Sequence, residues 1–307
     1  MRPLAVVGNV NVDLIMGPAA PWPQPGTEII VDHDELRVGG SAGNAALAWM
    51  ALGTPFEIAA SIGSDRFGVW LAESFGERAR DWPVHGDSTT LSVGITHPDG
   101  ERTFFTTQGH LPLFSLEDVF AVLDGSRLAG GIALLCGSFL TDRLVEDYGR
   151  FFDWADRHGI AVALDTGWPL DGWTESNRAA AKGWLSRCRI ALFNEVETTS
   201  LTGVADPAEA GRILQRGMPK DAVVVVKCGP KGAIAVDADG GLLRAEAPRV
   251  AVVDTIGAGD VFNAAFLAAY AGGRGLESSL AAGTTVASTA ISTHPRRYVP
   301  TAEKGPA

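Results

Sequence analysis

Short apolar runs and stretches of helical periodicity alternate along most of the chain. Leu4–Val7, Phe56–Ala60, Ile132–Cys136, Ile160–Leu164, Ile190–Phe193 and Ala222–Lys227 are brief and rich in Val, Ile, Leu and Ala. Runs of that length and content read as strands buried on both faces. Between them, Ser41–Leu52, Phe67–Ala79, Thr174–Cys188, Pro207–Arg216, Asp260–Ala271 and Leu276–Ser292 read as helices packed by one face. Gly53 is placed to close the first helix, and Thr141 to cap another running to Arg157. Ala233–Val236 and Gly241–Ala245 follow Ala222–Lys227 too closely for a helix between them, so an antiparallel edge is expected there. The alternation predicts an α/β fold: a doubly wound, mostly parallel sheet covered by helices on both faces.

Two regions break the alternation. Residues 12–36 hold a proline-rich bend (Pro18, Pro21, Pro23, Pro25) between β-like pieces. Residues 88–107 read as a hairpin, Thr89–Thr96 and Glu101–Thr107, around the turn His97-Pro98-Asp99-Gly100. Together they predict a small sheet projecting from the main one. Alternation puts Leu91, Val93 and Ile95 on one face of it, more apolar surface than a lone exposed hairpin should show. A homodimer joined through this sheet is therefore expected, with Phe104 or Phe105 in the contact.

Composition narrows the class. The 307 residues suffice for one large α/β unit, and no repeat or linker divides positions 1–307. A formal charge of −11 argues against non-specific binding to nucleic acid or an anionic membrane. An anionic ligand must then be met by local N–H groups and a metal. No run approaches the roughly 18 apolar residues of a membrane span. Asn9, Asn11 and Asp13 interrupt the N-terminal apolar segment too early for a secretory signal. The three cysteines, Cys136, Cys188 and Cys228, show no paired spacing and read as buried thiols in a cytoplasmic protein. The six histidines show no metal-ligand spacing.

The densest chemistry lies at Val253-Asp254-Thr255-Ile256-Gly257-Ala258-Gly259-Asp260, where the strand-like run Val250–Val253 meets a glycine turn and an Ala/Phe-rich helix. Glycines let N–H groups approach an anion closely, and the helix dipole favours negative charge there. A first-turn carboxylate such as Asp260 can take a proton from a nucleophile, or it can simply cap the helix. Asp13 follows the first strand at its carboxyl end, where open α/β sheets bind ligands. Asn11 projects from the same face of an extended chain. Asn44 falls in the first turn after Gly39-Gly40. Val223–Val226 leads into Lys227-Cys228-Gly229-Pro230-Lys231-Gly232, a strand delivering a glycine turn. No Gly-x-x-x-x-Gly-Lys-Ser/Thr loop exists in the chain.

Gly8–Ile15, Gly39–Ala46, Asn194–Glu197 and Asp254–Asp260, in that order, make the chain resemble the ribokinase/PfkB family of sugar kinases over nearly its whole length. The resemblance implies a ribokinase-like fold with a β lid, and phosphoryl transfer from ATP to a small sugar, sugar acid or polyol. It makes Asp260 the base, with Gly257, Ala258 and Gly259 as anion-hole donors. Around the sugar it places Asn11, Asp13, Gly40 and Asn44. It puts Lys227, Gly229, Gly232 and Asn194 toward the nucleotide, and Glu197 near Mg²⁺ and its waters.

The chain also departs from the family. Gly137-Ser138-Phe139 stands where ribokinases proper place a glutamate, Thr284-Thr285 where an adenine-side asparagine is common, and His294–Tyr298 where a small-residue cation loop is common. The rival readings are a nucleoside kinase of the same family and a non-catalytic sugar or nucleotide sensor on the scaffold. A dinucleotide-dependent oxidoreductase fits poorly, because Gly8-Asn9-Val10-Asn11 lacks Gly-x-Gly-x-x-Gly.

Overall fold

In the computed structural model, residues 1–99 and 101–299 are described. Eight strands form the main sheet, in the order Leu242–Ala245, Ala233–Val236, Val223–Lys227, Ile190–Asn194, Ala161–Asp165, Ile132–Cys136, Leu4–Val7 and Glu57–Ala59. The six from Val223–Lys227 onward run parallel, and the first two close the edge antiparallel as expected. Alternate strand residues enter opposite layers. Leu4, Val6, Leu134, Leu192 and Val225 pack with Trp49, Phe262 and Phe266. Ala5, Val7, Leu135, Phe193 and Val224 pack with Phe151, Trp154 and Leu214. Period-two side chains on a sheet covered twice make every strand position apolar. This is the doubly wound, mostly parallel α/β arrangement that the alternation predicts.

The lid is a second sheet of four strands, ordered His33–Gly39, Asn11–Gly17, Leu91–Thr96 and Arg102–Thr106. Gly100 of the predicted turn lies outside the described residues. Register places Asp13 opposite Arg37 and Ser92, and Gly94 opposite Phe104. Paired residues share a face, so Asn11, Asp13, Arg37 and Phe104 look one way while Leu14, Val93, Ile95 and Phe105 look the other. A Cβ built on Gly94 would lie 2.8 Å from both Ile15 and Phe104. The two phenylalanines therefore occupy opposite faces, and only Phe105 joins Val93.

Several expected elements differ. Val250–Val253 is no strand; it is largely exposed, and the Val253 N–H and Asp254 N–H donate to Ile291 O at 2.7 and 3.1 Å. Val250 and Val252 line a crevice instead of a core. The single helix expected from Thr141 to Arg157 is two, Asp142–Glu146 and Tyr148–Arg157. Asp147 breaks it, at φ −102° and ψ 10°. The Thr141 hydroxyl donates to Gly137 O at 3.4 Å and caps nothing. Gly76, with φ +57°, ends the helix Arg66–Phe75 and a tighter turn, Gly76–Ala79, follows. An unpredicted short helix, Leu116–Val122, starts from the reciprocal cap of Ser115 and Asp118. All three cysteines are free and buried.

Candidate active site

The site residues gather at the carboxyl ends of the parallel strands and under the lid. Asn11 and Asp13 begin the lid strand Asn11–Gly17, where the Asn11 Nδ2 donates to Asp13 Oδ1 at 2.8 Å. Both are buried. Burial pushes the Asp13 carboxyl up to about 6, against the pull of Arg37 and of the Asn11 hydrogen bond.

Gly40 precedes the helix Ser41–Ala51 at φ +82°, and a Cβ there would lie 2.7 Å from Asn11 Oδ1. Only glycine lets the helix start this close to the lid strand. Asn44, one turn in, is buried, and its Nδ2 donates to Asp260 Oδ2 at 2.9 Å. The Trp49 indole locks the two helices by donating to Ala264 O at 2.7 Å.

Gly257, at φ +73°, precedes the helix Ala258–Ala271. A Cβ on it would meet Asn44 Nδ2 at 2.7 Å. Asp260 sits in the first turn but caps nothing; its carboxylate is turned to Asn44. Burial raises the Asp260 carboxyl to about 7, the charge of Asp165 adds to this, and Asn44, Lys227 and Ser41 oppose it. The Ala258 N–H, expected as an anion donor, is taken up by Thr255 O at 3.1 Å.

Beneath this turn lies an ion-pair network that the motifs do not announce. Lys227 ends its strand, and its Nζ donates to Asp165 Oδ2 at 2.7 Å and to Asn263 Oδ1 at 3.2 Å. Asp165 ends a strand two places away, so the lysine reaches across the strand of Asn194. Asn263 Nδ2 donates to the same Asp165 oxygen at 2.6 Å. A Cβ on Gly259 would lie 3.3 Å from Lys227 Nζ, so the ammonium lies directly under the glycine turn. Burial alone would lower the Lys227 ammonium, but Asp165, Glu197 and Asp260 outweigh it and hold it above the ordinary range.

Asn194 and Glu197 are brought together as a reciprocal cap. Asn194 Oδ1 accepts from the Glu197 N–H, and Glu197 Oε2 from the Asn194 N–H, each at 2.8 Å. Burial lifts the Glu197 carboxyl to about 7, Asp165 lifts it further, and Lys227 pulls it down.

A crevice of about 430 Å³ opens beside the turn, lined by Lys227, Gly229, Pro230, Gly232, Val250, Val252, Thr255, Ala258, Gly259, Phe262 and Thr284 among others. Its walls are mostly apolar, as suits a planar ring, with the glycine turn at one end. Gly232 lines it, but its φ of +91° serves the chain crossing at Ala245 O, which a Cβ would strike. Trp173 is buried and Trp168 half exposed, the two rings meeting edge to face.

Sequence reasoning missed Asp165, Asn263 and Arg37. Asp165 carried one signal, a carboxylate at a strand's carboxyl end. Asn263 carried another, a lone amide on an apolar helix three residues past Asp260.

A model of the pfkB family carbohydrate kinases matches residues 1–301. Mouse ketohexokinase is 24% identical over 292 residues, covering 93% of this chain and 95% of that one. Arabidopsis thaliana ribokinase is 26% identical over 305 residues, covering 94% and 76%. The solved structure of Arabidopsis thaliana ribokinase complexed with ribose and ATP superposes with a TM-score of 0.77 at 25% identity, over 95% of this chain and 93% of that one. With the family model spanning nearly the whole chain and the fold ribokinase-like, the chain belongs to the pfkB family of carbohydrate kinases.

Proposed function

We propose that this chain, acting as one kinase unit with its lid, transfers the γ-phosphoryl group of ATP to a primary hydroxyl of a small sugar, sugar acid or polyol. The observation that carries the reading is the position of Asp260: a carboxylate raised to about 7, at a glycine-led helix start, between a lid-covered polar site and an apolar crevice. The hydroxyl oxygen attacks the γ-phosphorus, the bond to the β-bridging oxygen breaks, and the hydroxyl proton passes to Asp260. A base near neutrality is matched to that task. With the Ala258 N–H bonded to Thr255 O, the Gly257 and Gly259 N–H groups are the proposed donors to the phosphoryl oxygens, and Lys227 below adds positive charge.

Asp13 and Asn11 hold hydroxyls from the lid side, with Gly40 allowing close approach and Asn44 reaching both Asp260 and the substrate. Adenine takes the apolar crevice. Among the described residues no three metal-ligating side chains converge, so Mg²⁺ fits as a companion of the phosphates, with Glu197 toward its waters. When bound, it neutralises phosphate charge. The outer lid face of Val93, Ile95 and Phe105 is proposed to pair with a second copy. The reaction belongs in the cytoplasm, with its ATP.

An ADP-release screen over sugars, sugar acids, polyols and nucleosides tests the reading. Turnover with a sugar or sugar acid, lost in Asp260→Asn, is expected. Turnover confined to nucleosides would replace the substrate class. Silence throughout, with ligand binding retained, would make the chain a sensor.

A further inference from the structure

Three arginines converge on the substrate side of the glycine turn. Arg37 stands opposite Asp13 across the lid ladder, with its side chain 15% exposed. Its Nη1 donates to Asp254 Oδ2 at 2.6 Å, yet its Nη2 is buried with no acceptor among the described residues. Arg296 Nη2 shares that same Asp254 oxygen at 2.8 Å. Arg102, from the far lid strand, donates from Nη2 to Thr255 Oγ1, and no carboxylate lies within 4.0 Å of it among the described residues.

A buried guanidinium N–H without an acceptor is costly, and such groups mark places where a ligand completes the bonding. Asp13 is the nearest candidate across the ladder, but it forms no ion pair with Arg37. Its Oδ1 already accepts from Asn11. Among the described residues nothing accepts from Arg37 Nη2, and a ligand acceptor fits it. Guanidinium geometry matches a planar carboxylate, which accepts two parallel N–H bonds. Asp13, Asp254 and Glu35, the last at 3.7 Å from Arg37, already balance much of the positive charge. A dianionic phosphate would meet those three carboxylates as well, so a single negative charge fits better.

We propose, resting on the kinase reading above, that the acceptor substrate is a sugar acid. Its hydroxyls lie on Asp13 and Asn11, and its carboxylate accepts from Nη2 of Arg37, with Arg296 and Arg102 completing a positive rim. The carboxylate end is thereby anchored at the lid, and the opposite end of the chain of carbons is left to face Asp260.

Calorimetric titration of the full chain decides it, using five- and six-carbon aldonates and 2-keto-aldonates, each beside its neutral alditol and its sugar phosphate. At least one acid should bind about ten- to a hundredfold tighter than its neutral partner, the range for one charged hydrogen-bond partner. In Arg37→Gln that ratio should fall toward one, while alditol and ATP affinities hold. Arg37→Lys should restore part of it. If Arg37→Gln fails to fold, Arg296→Gln provides the same comparison. Equal binding of acid and alditol across every pair, or tightest binding by a sugar phosphate, would overturn the proposal. So would a loss falling on ATP. ADP release with neutral sugars alone would sink this inference and leave the kinase reading standing. Acid-selective binding with no ADP from any acceptor would do the reverse.

Discussion

Asn44 Nδ2 donates to Asp260 Oδ2 at 2.9 Å, joining the first turns of two helices that are 216 residues apart in sequence. The contact holds the proposed base in one orientation and offsets part of the burial that raises it. It depends on Trp49, whose indole ties the same two helices one turn deeper.

Asp260→Asn should keep the fold and the nucleotide affinity but lower kcat by about 10²-fold or more, the usual range for a lost general base. Steady-state kinetics on the true substrate, with ATP titrated separately, checks it. Near-full turnover in the variant would remove Asp260 from the mechanism.

The raised carboxyls set a pH dependence with a definite sign. Asp260 and Glu197 are held near about 7 and Asp13 near about 6. Between about pH 4 and 7 the unfolded chain has released protons that the native state retains, so stability falls as pH rises through that window. Asp260→Asn should therefore melt above the native protein at pH 8 and alongside it at pH 4. Activity should run the other way, with kcat/KM climbing as pH rises toward about 7 and levelling beyond, because the base works ionised. A flat profile from pH 5 to 8 would contradict this.

Asp13→Ala should weaken the acceptor far more than ATP. Loss of a charged hydrogen-bond partner costs about 1.5–3 kcal/mol, or one to two decades in Kd. Equal losses for both ligands would mean that Asp13 serves only to hold the lid.

Asp165 is buried and Lys227 nearly so, with side chains 8% and 12% exposed. Lys227→Met leaves Asp165 charged and unpaired, which should cost about 3–5 kcal/mol of stability. The double variant Lys227→Met with Asp165→Asn should recover part of that stability in chemical denaturation, but not the turnover. If it recovers turnover as well, the ammonium is only a structural partner.

Phe105 is 57% exposed on the lid face of Val93 and Ile95, while Phe104 shares the inner face with Asp13. Phe105→Asp should convert a dimer to a 32.2 kDa species in light scattering. A native protein already at that mass at micromolar concentration would show that no second copy covers this face.

The sequence by itself determined most of the strands and helices and the glycine turns. Leu4–Val7, Ile132–Cys136 and Pro207–Arg216 were legible to the residue because burial on two faces, or on one helical stripe, writes a local pattern. Gly40 and Gly257 were legible because a positive φ leaves few other choices. Val250–Val253 was misread because apolar content cannot tell a strand from a crevice wall. Only the tertiary structure decided which polar groups meet. Lys227 finds Asp165 by reaching over a strand, and Arg37 passes its ladder neighbour Asp13 for Asp254, 217 residues on. Strand order and lid placement set those pairs, and both arise from packing between elements. No local spacing encodes them.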